Sequence, residues 1–179
     1  GPSQRVVHAR GAGRSTPLRL GIAGLGAVGA GVVKVVRQKG SWLGDRAGRA
    51  VTVSAVSARS KDKGRGGTLS QYVWEDNPVA LATRDDIDVY VELMGGADGP
   101  AKASVEAALR AGKDVVTANK AMLAHHGQML AQLAEDNGAV LRFEAAVAGG
   151  IPVIKALTER LAGNDMERVM GVRTGTAHT

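Results

Sequence analysis

The sequence predicts an α/β protein with a doubly wound, mainly parallel sheet and helices on both faces. Short apolar, β-branched segments alternate with longer segments of helical periodicity, which is the pattern of parallel strands joined by helical crossovers. Aromatic residues make up only 3% of the chain, so the core is expected to consist of Ala, Val and Leu. At 179 residues, the chain can form one full domain and part of a second.

The predicted elements follow one another along the chain. Strands are expected at 18–23, 51–57, 88–93, 114–118, 139–146 and 166–172, and helices near 28–39, 100–111, 120–137 and 152–163. Pro100 and Pro152 stand where two of these helices begin, a position at which the missing N–H costs nothing. Gly138 ends the helix at 120–137. Residues 60–78 are polar, contain glycine and are predicted to form a loop with a short turn.

A glycine-rich motif joins the first predicted strand to the first helix. It reads Gly24-Leu25-Gly26-Ala27-Val28-Gly29. Between a strand and a helix, G-x-G-x-x-G is the fingerprint of a Rossmann-type dinucleotide-binding fold. Gly24 would permit the turn, Gly26 would let the backbone approach the pyrophosphate, and Gly29 would allow close packing of helix on strand. The phosphates would bind free amides at the helix N-terminus. The alternative is a glycine-rich turn without a ligand.

A second motif, Thr117-Ala118-Asn119-Lys120, stands where the strand at 114–118 gives way to a helix. Asn119 is predicted to cap that helix and Lys120 to lie in its first turn. A lysine there is unfavourable, because a helix N-terminus is already partly positive. Open α/β sheets bind ligands at this edge, so we expect a negatively charged group to bind opposite Lys120.

The end of the second strand bears on the choice of cofactor. NAD sites usually carry Asp or Glu there for the ribose hydroxyls, whereas this chain has Arg59 between serines, and its first acid is Asp62. A guanidinium can bind a 2′-phosphate with two hydrogen bonds. Arg59 therefore favours NADP, and use of NAD as well remains open. The alternative is that Arg59 is a solvated loop residue.

Charge and composition argue against several other classes of protein. Residues 1–44 hold seven basic residues and no acid, whereas residues 45–179 hold sixteen of the 23 basic residues and all 17 acids. Without a basic face or aromatic platform, nucleic-acid binding is not expected. Without a long apolar run, neither a membrane span nor a signal peptide is expected, and a cytoplasmic location is the default. The absence of cysteine excludes disulfides and thiol nucleophiles.

Some polar residues have weaker patterns. His125 and His126 are helical neighbours that point about 100° apart, so they are predicted to be surface residues rather than a chelating pair. Glu92 ends a strand at the ligand edge, where a cap or loop role and a catalytic role are both open. A solvated turn is predicted at Asp85, Asp86 and Asp88.

Beyond these local patterns, the chain resembles the N-terminal nucleotide-binding domain of homoserine dehydrogenase. The matching segments are 21–31, VELMGG at 91–96, AGK at 111–113, VVTANK at 115–120 and FEAAVAGGIPVIK at 143–155, with 161–164 and 171–176 continuing the match. The resemblance implies NADPH-dependent reduction of aspartate β-semialdehyde to homoserine, in the biosynthesis of threonine, methionine and isoleucine. It also implies a homo-oligomer for the full-length family.

The resemblance implies roles for individual residues. Lys120 would contact the substrate and the cofactor and take part in proton transfer. The cofactor would also contact residues 24–29, Met94 and Gly95, with Thr117, Ala118 and Asn119 on the nicotinamide side. The substrate pocket would include Gly175 and Thr176. A monovalent cation, sodium, would be bound by Glu144, Val147, Gly149 and Ile151. For Glu144, hydrogen bonding to neighbouring backbone amides without a metal is equally open.

The chain also departs from the family pattern. Thr174 replaces the asparagine expected before Gly175, and Ala177-His178-Thr179 replaces the Asn-Tyr expected after Thr176. We therefore expect a disordered basic tail or tag remnant at 1–17, a dinucleotide-binding domain at 18–150, and the start of a truncated substrate and dimerisation domain at 151–179. The second family lysine and the substrate-binding acids would be missing, so the chain alone is expected to be poorly active.

Two other functions compete with that of a dehydrogenase domain. A non-catalytic nucleotide-binding module, or a degenerate remnant of the enzyme, remains open. A semialdehyde dehydrogenase is disfavoured, because a chain without cysteine has no thiol for an acyl-enzyme.

Overall fold

The computed structural model describes residues 16–47, 49–58, 69 and 71–161. The strands are β1 (Leu18–Ala23), β2 (Val51–Ser57), β3 (Val73–Trp74), β4 (Val89–Glu92), β5 (Asp114–Thr117) and β6 (Leu141–Phe143). The helices are α1 (Ala27–Ala47), α2 (Pro78–Ala82), α3 (Pro100–Arg110), α4 (Lys120–Asp136) and α5 (Ile151–Lys155), the last continued by a π-helical turn at Ala156–Leu161.

The described strands form one parallel sheet in the order β3-β2-β1-β4-β5-β6. The chain runs outward from β1 to β3, returns to the centre at β4, and then runs outward on the other side. In such sheets the ligand crevice lies at the carboxyl ends of the strands, where the order reverses. Here that point lies between β1 and β4. The predicted fold class is confirmed.

Alternation along the strands provides an apolar surface on each face of the sheet. On one face, Leu20, Val91 and Val116 belong to a core cluster that also contains side chains of α1 and α5. On the other face, Tyr90 and Val115 pack in a cluster with side chains of α2, α3 and α4. Helices therefore cover both faces, as predicted. Within the described ranges, no helix is long and apolar enough to cross a membrane.

The element boundaries match the sequence predictions unevenly. β1 and β2 have the predicted bounds, and β4 and β5 are shorter by one residue at one or both ends. The strand predicted at 139–146 is wrong in length: β6 spans only Leu141–Phe143, and Val140 before it donates its N–H to the Asp114 carboxylate. Helix α1 runs past Gly40, whose absent side chain lets the helix approach the carbonyl of Val51.

The loop predicted at 60–78 is wrong in part, because β3 lies within it. Val73 pairs with Ala55 of β2, and the indole of Trp74 donates to the Leu69 carbonyl. Helix α2 was not predicted, although Asn77 caps it and Pro78 begins it. The strand predicted at 166–172, most of the tail at 1–17, and residues beyond 161 lie outside the described residues.

Helix α5 lies just beyond the predicted domain boundary at residue 150. Val153 and Leu157 are fully buried in the cluster that contains Leu20 and Val32. Backbone approach is close, because a Cβ at Gly150 would lie 2.5 Å from a methyl carbon of Val32. The start of α5 thus packs on the dinucleotide-binding fold, and the division at residue 150 stays a prediction.

Candidate dinucleotide-binding site

The turn after β1 needs glycine for two reasons. Gly24 has φ +100, a conformation that L side chains rarely adopt. A Cβ at this position would also lie 2.6 Å from the carbonyl carbon and oxygen of Leu93, which follows β4. The Gly24 N–H donates to the Ser57 carbonyl at the end of β2, at 2.8 Å. The turn therefore joins the ends of the three strands at the centre of the sheet.

Gly29 and Gly26 have different surroundings. A Cβ at Gly29 would lie 1.9 Å from the carbonyl oxygen of Gly24, so glycine lets the first turn of α1 pack against the turn after β1. At Gly26 an added Cβ would meet no protein atom within 4 Å, and the residue is exposed. Packing of the described chain therefore gives no reason for glycine at 26. Close approach of a ligand to the backbone would give one.

A cleft of about 130 Å³ opens beside this turn, at the carboxyl edge of the sheet. It is lined by Val28 of α1, Leu93, Met94 and Gly95 after β4, Ala118 after β5, and Ala146 after β6. The structure thus brings together Val28, Met94 and Gly95, which the sequence predicted as cofactor contacts, with Ala118. Ala146 was not predicted, although it stands in the matching segment at 143–155. Leu25 is buried, and Ala27 is exposed at the start of α1.

The edge around the cleft favours an anion. The first amides of a helix lack intrahelical acceptors and carry partial positive charge, and the first turns of α1 and α4 contain no acidic residue. Lys120 is the first residue of α4 and is exposed. Among the described residues it has no ion-pair partner. Its position agrees with the expectation that a negatively charged group binds opposite it.

Behind the cleft, Glu92 is fully buried at the end of β4. Its Oε2 accepts the N–H groups of Met94 at 2.9 Å and Gly95 at 3.1 Å. Its Oε1 accepts the Thr117 hydroxyl at 2.5 Å. Of the two roles left open for Glu92, the structure therefore shows the loop role. In the sequence, Glu92 is a lone acid at the end of an apolar strand. A carboxylate in such a buried position needs hydrogen-bond partners.

Thr117 and Asn119 extend these contacts to α4. The Thr117 hydroxyl oxygen accepts the Asn119 N–H at 3.0 Å, and the Asn119 side chain donates to the Gly96 carbonyl at 2.7 Å. The Asn119 side-chain oxygen accepts the Met122 N–H at 3.0 Å, which is the predicted helix cap. Both side chains are buried. Of the three residues predicted on the nicotinamide side, only Ala118 lines the cleft directly.

The residues predicted to bind a cation lie in one short segment. The Glu144 N–H donates to the Thr117 carbonyl at 3.0 Å, and its carboxylate accepts from Arg142 at 3.2 Å. The Val147 carbonyl accepts the Gly150 N–H at 2.8 Å, and Gly149, two residues before Ile151, has φ +89. The described residues hold no group of three or more His, Cys, Asp or Glu side chains placed for a metal. The cation site stays a prediction.

Other predicted residues lie outside the site or outside the described chain. Arg59, Gly175 and Thr176 are not among the described residues. His125 is exposed as predicted, whereas His126 is half-buried and contacts Asp98 at 2.7 Å. The prediction of a solvated turn is wrong for Asp88, whose carboxylate forms two hydrogen bonds with the guanidinium of Arg19 at the amino end of the sheet.

The contacts with Arg19 lower the pKa of the Asp88 carboxyl. Burial alone would raise its pKa, but hydrogen bonds from the side chain and backbone of Arg19 outweigh burial, and the pKa lies below its usual value. Burial has the opposite result at Lys113, where it lowers the pKa of an ammonium that donates to the Ile87 carbonyl. Both groups lie near the amino end of the sheet. Neither side chain lines the cleft.

Residues 24–144, which include the glycine turn, the cleft and Lys120, match the family model for the homoserine dehydrogenase NAD-binding domain. The chain belongs to this family. The homoserine dehydrogenase of Neisseria gonorrhoeae is 43% identical over 162 residues, which are 90% of this chain and 37% of that protein. The enzyme of Corynebacterium glutamicum is 40% identical over 168 residues and is covered to the same extent. The resemblance drawn from the motifs is confirmed.

A solved structure agrees with these matches. The crystal structure of homoserine dehydrogenase from Thiobacillus denitrificans superposes with a TM-score of 0.68 at 40% identity, over 80% of this chain and 33% of that one. A hyperthermophilic archaeal homoserine dehydrogenase mutant in complex with NADPH superposes with a TM-score of 0.60 at 25% identity, over 79% and 48% of the two chains. The chain spans a little over a third of the length of the curated relatives it matches.

Proposed function

We propose that this chain binds NADPH at the carboxyl edge of its sheet, as the nucleotide-binding part of a homoserine dehydrogenase. The full enzyme would reduce aspartate β-semialdehyde to homoserine in the cytoplasm, in a homo-oligomer. The main support is the contrast between Gly29 and Gly26: protein packing requires glycine at 29, whereas open space surrounds 26. That contrast is expected where a pyrophosphate, rather than protein, approaches the backbone.

The position of the cleft suggests the orientation of the cofactor. In doubly wound folds the adenosine ribose lies near the end of the second strand and the pyrophosphate at the N-terminus of the first helix. The nicotinamide half would then extend across the switch point to the cleft between Met94 and Ala118. The cleft has mostly apolar walls, which suits a neutral dihydronicotinamide ring and excludes water from it.

NADP is proposed as the preferred cofactor on the basis of Arg59, which follows β2 after Ala58. The first acid after the strand is Asp62, so the usual carboxylate for the ribose hydroxyls of NAD is lacking at the end of the strand. The archaeal relative solved with NADPH agrees with this preference. NAD would bind more weakly, since it offers no 2′-phosphate to a guanidinium.

Lys120 is proposed to act on the substrate. The bound cofactor would supply the hydride, and Lys120 would hold the substrate carbonyl oxygen and move a proton to or from it. Its exposure at the first position of α4, without an ion-pair partner in the described part of the chain, leaves the ammonium available. Gly175 and Thr176 would complete this side of the pocket, and Glu144, Val147, Gly149 and Ile151 would bind sodium.

Calorimetric titration with NADPH and NADH tests the cofactor preference. The parent chain should bind NADPH at least about tenfold more tightly, the value of one charge-assisted contact. Arg59→Ala should remove most of the difference by weakening NADPH alone. Arg110→Ala is the matched control, since Arg110 is exposed at the end of α3. Equal affinities in the parent, or an unchanged NADPH affinity in Arg59→Ala, would refute the preference.

NADPH oxidation with aspartate semialdehyde tests the reaction. The 179-residue chain alone should turn over negligibly, whereas a chain extended by a family C-terminal region should be active. In the extended chain, Lys120→Ala should lower kcat by several orders of magnitude and leave NADPH affinity within about threefold. Lys34→Ala, an exposed lysine on α1, is the control. Loss of cofactor binding alone in Lys120→Ala would identify that lysine as a phosphate anchor instead. An inactive extended chain that binds NADPH would favour a non-catalytic module.

A further inference from the structure

We propose that Glu92 and Thr117 are positioning residues that hold the nicotinamide side of the cofactor site. They would fix the loop at 93–96 and the start of α4 as one unit, so that the cleft lining and Lys120 keep a constant relation. This inference rests on the proposed binding of NADPH at the carboxyl edge. It assigns a role to two fully buried polar side chains that packing of an apolar sheet does not require.

Side-chain packing holds only the first half of the loop after β4, because Leu93 and Met94 pack against the two core clusters, whereas Gly95 and Gly96 have no side chain to pack. Gly95 and Gly96 have φ +86 and φ +90. Glycine adopts positive and negative φ about equally readily, so the residue type alone does not fix this conformation. A Cβ at Gly95 would meet no atom within 4 Å, and one at Gly96 would meet only the Asp98 carbonyl oxygen at 3.9 Å. The conformation of this segment therefore depends on its hydrogen bonds.

Glu92 supplies two of those bonds and thereby also determines what the loop can bind. Its carboxylate occupies the N–H groups of Met94 and Gly95. Two successive amides that converge on one point would otherwise make an anion site. With these amides occupied by Glu92, the phosphates are directed to the N-terminus of α1. The loop is left to contact the neutral nicotinamide ribose and ring.

Thr117 connects the loop to the active-site helix. Its hydroxyl donates to Glu92 and accepts from the N–H of Asn119. Asn119 in turn donates to the Gly96 carbonyl and caps α4, whose first residue is Lys120. In a buried setting such a chain of bonds has few alternative arrangements, because each broken bond leaves an unpaired polar group. Displacement of the loop would therefore displace the start of α4.

A merely structural role would stabilise the junction of β4 and β5 without affecting one half of the cofactor more than the other. The two roles separate when two ligands are compared. NADPH contains the nicotinamide half, whereas 2′-phospho-ADP-ribose has the same adenosine, 2′-phosphate and pyrophosphate without the nicotinamide ring. A positioning role predicts that loss of the network weakens the binding of NADPH more than the binding of 2′-phospho-ADP-ribose.

Calorimetry on the 179-residue chain measures both affinities in the parent, Thr117→Val and Thr117→Ser. Thr117→Val keeps the shape of the side chain and removes the hydroxyl with both of its buried hydrogen bonds. The dissociation constant of NADPH should therefore rise at least about tenfold. That of 2′-phospho-ADP-ribose should stay within about twofold. Thr117→Ser keeps the hydroxyl and should restore most of the NADPH affinity.

Asp114→Asn is the matched control. Asp114 is also a buried carboxylate that accepts a backbone N–H, from Val140, but it begins β5 at the far end of the strand. This variant should lower the melting temperature and leave the ratio of the two affinities unchanged. Glu92→Gln provides a second variant if Thr117→Val does not fold. The side-chain amide of a glutamine has only one oxygen, so it cannot accept from both Thr117 and the loop amides. Glu92→Gln should therefore also weaken the binding of NADPH more than that of 2′-phospho-ADP-ribose.

Several results would overturn the inference. One is a parent chain that binds NADPH no more tightly than 2′-phospho-ADP-ribose. Another is equal weakening of the two ligands in Thr117→Val or in Glu92→Gln, because the network would then only stabilise the fold. A folded parent that binds neither ligand would refute the proposed function itself, and this inference with it.

Discussion

Replacing Gly29 by alanine should destabilise the fold, whereas the same change at Gly26 should not. The new Cβ at residue 29 would lie 1.9 Å from the Gly24 carbonyl oxygen, and ordinary contact begins near 3.4 Å. Backbone cannot rotate away as a side chain does, so α1 would have to move from β1 by more than about 1 Å. Overpacking of this kind costs about 1–3 kcal/mol, and we expect the upper end.

At about 2–4 °C per kcal/mol for a chain of this size, Gly29→Ala should lower the melting temperature by about 6–12 °C. Gly26→Ala adds its Cβ to open space and should melt within about 2 °C of the parent while weakening NADPH at least about tenfold. Thermal unfolding followed by circular dichroism, with NADPH titration of each variant, measures both effects. Equal melting temperatures for the two variants would refute the packing argument.

Two further changes concern polar groups away from the cleft, Asp88, which is partly buried, and Tyr90, which is fully buried. Asp88→Asn should lower the free energy of unfolding by about 1–2 kcal/mol at pH 7. Because the pKa of Asp88 is lowered in the folded state, this stabilisation is present above about pH 4 and is lost as pH falls through the folded pKa. Urea unfolding at pH 7 and pH 2 measures it, and an equal difference at both would contradict the role of the Arg19–Asp88 pair. Tyr90→Phe removes a buried hydroxyl that donates to Ser104 at 2.7 Å and should cost about 1 kcal/mol. Since burial raises the pKa of Tyr90, the parent should lose stability above about pH 10 more steeply than Tyr90→Phe, and parallel pH profiles would refute this.

Sequence patterns predicted the elements that have strong local signals. β1 and β2 are mainly apolar segments followed by a glycine turn or a polar loop, so their ends were defined. α4 has a capping Asn119 and a closing Gly138, and its bounds were predicted to within one residue. The doubly wound, mainly parallel sheet followed from the strand–helix alternation and the position of the glycine motif, whereas the order of the strands was seen only in the structure.

Elements defined by tertiary contacts were not predictable in the same way. β3 has only two residues, and it is a strand because Val73 and Trp74 pair with β2. The helix predicted near 28–39 continues to Ala47, because Gly40 allows it to approach Val51 closely. In the site, the glycines and Lys120 were evident from motifs. The bonds of Glu92 to Met94, Gly95 and Thr117 depend on strand neighbours far apart in sequence, which no local pattern contains.

Titration of the 179-residue chain with NADPH, beside Gly26→Asp, bears most directly on the proposed site. Gly26→Asp places bulk and negative charge where the pyrophosphate is expected, in space where protein packing does not oppose a side chain. Ala131→Asp is the charge-matched control, because Ala131 is exposed and lies about 16 Å along α4 from Lys120. Circular dichroism confirms that each variant is folded.

The parent and Ala131→Asp should each bind one NADPH per chain with equal affinity, and Gly26→Asp should bind it more than about tenfold more weakly with an unchanged melting temperature. Saturable NADPH binding that is the same in Gly26→Asp as in the parent would contradict the site. So would a folded parent chain that shows no NADPH binding.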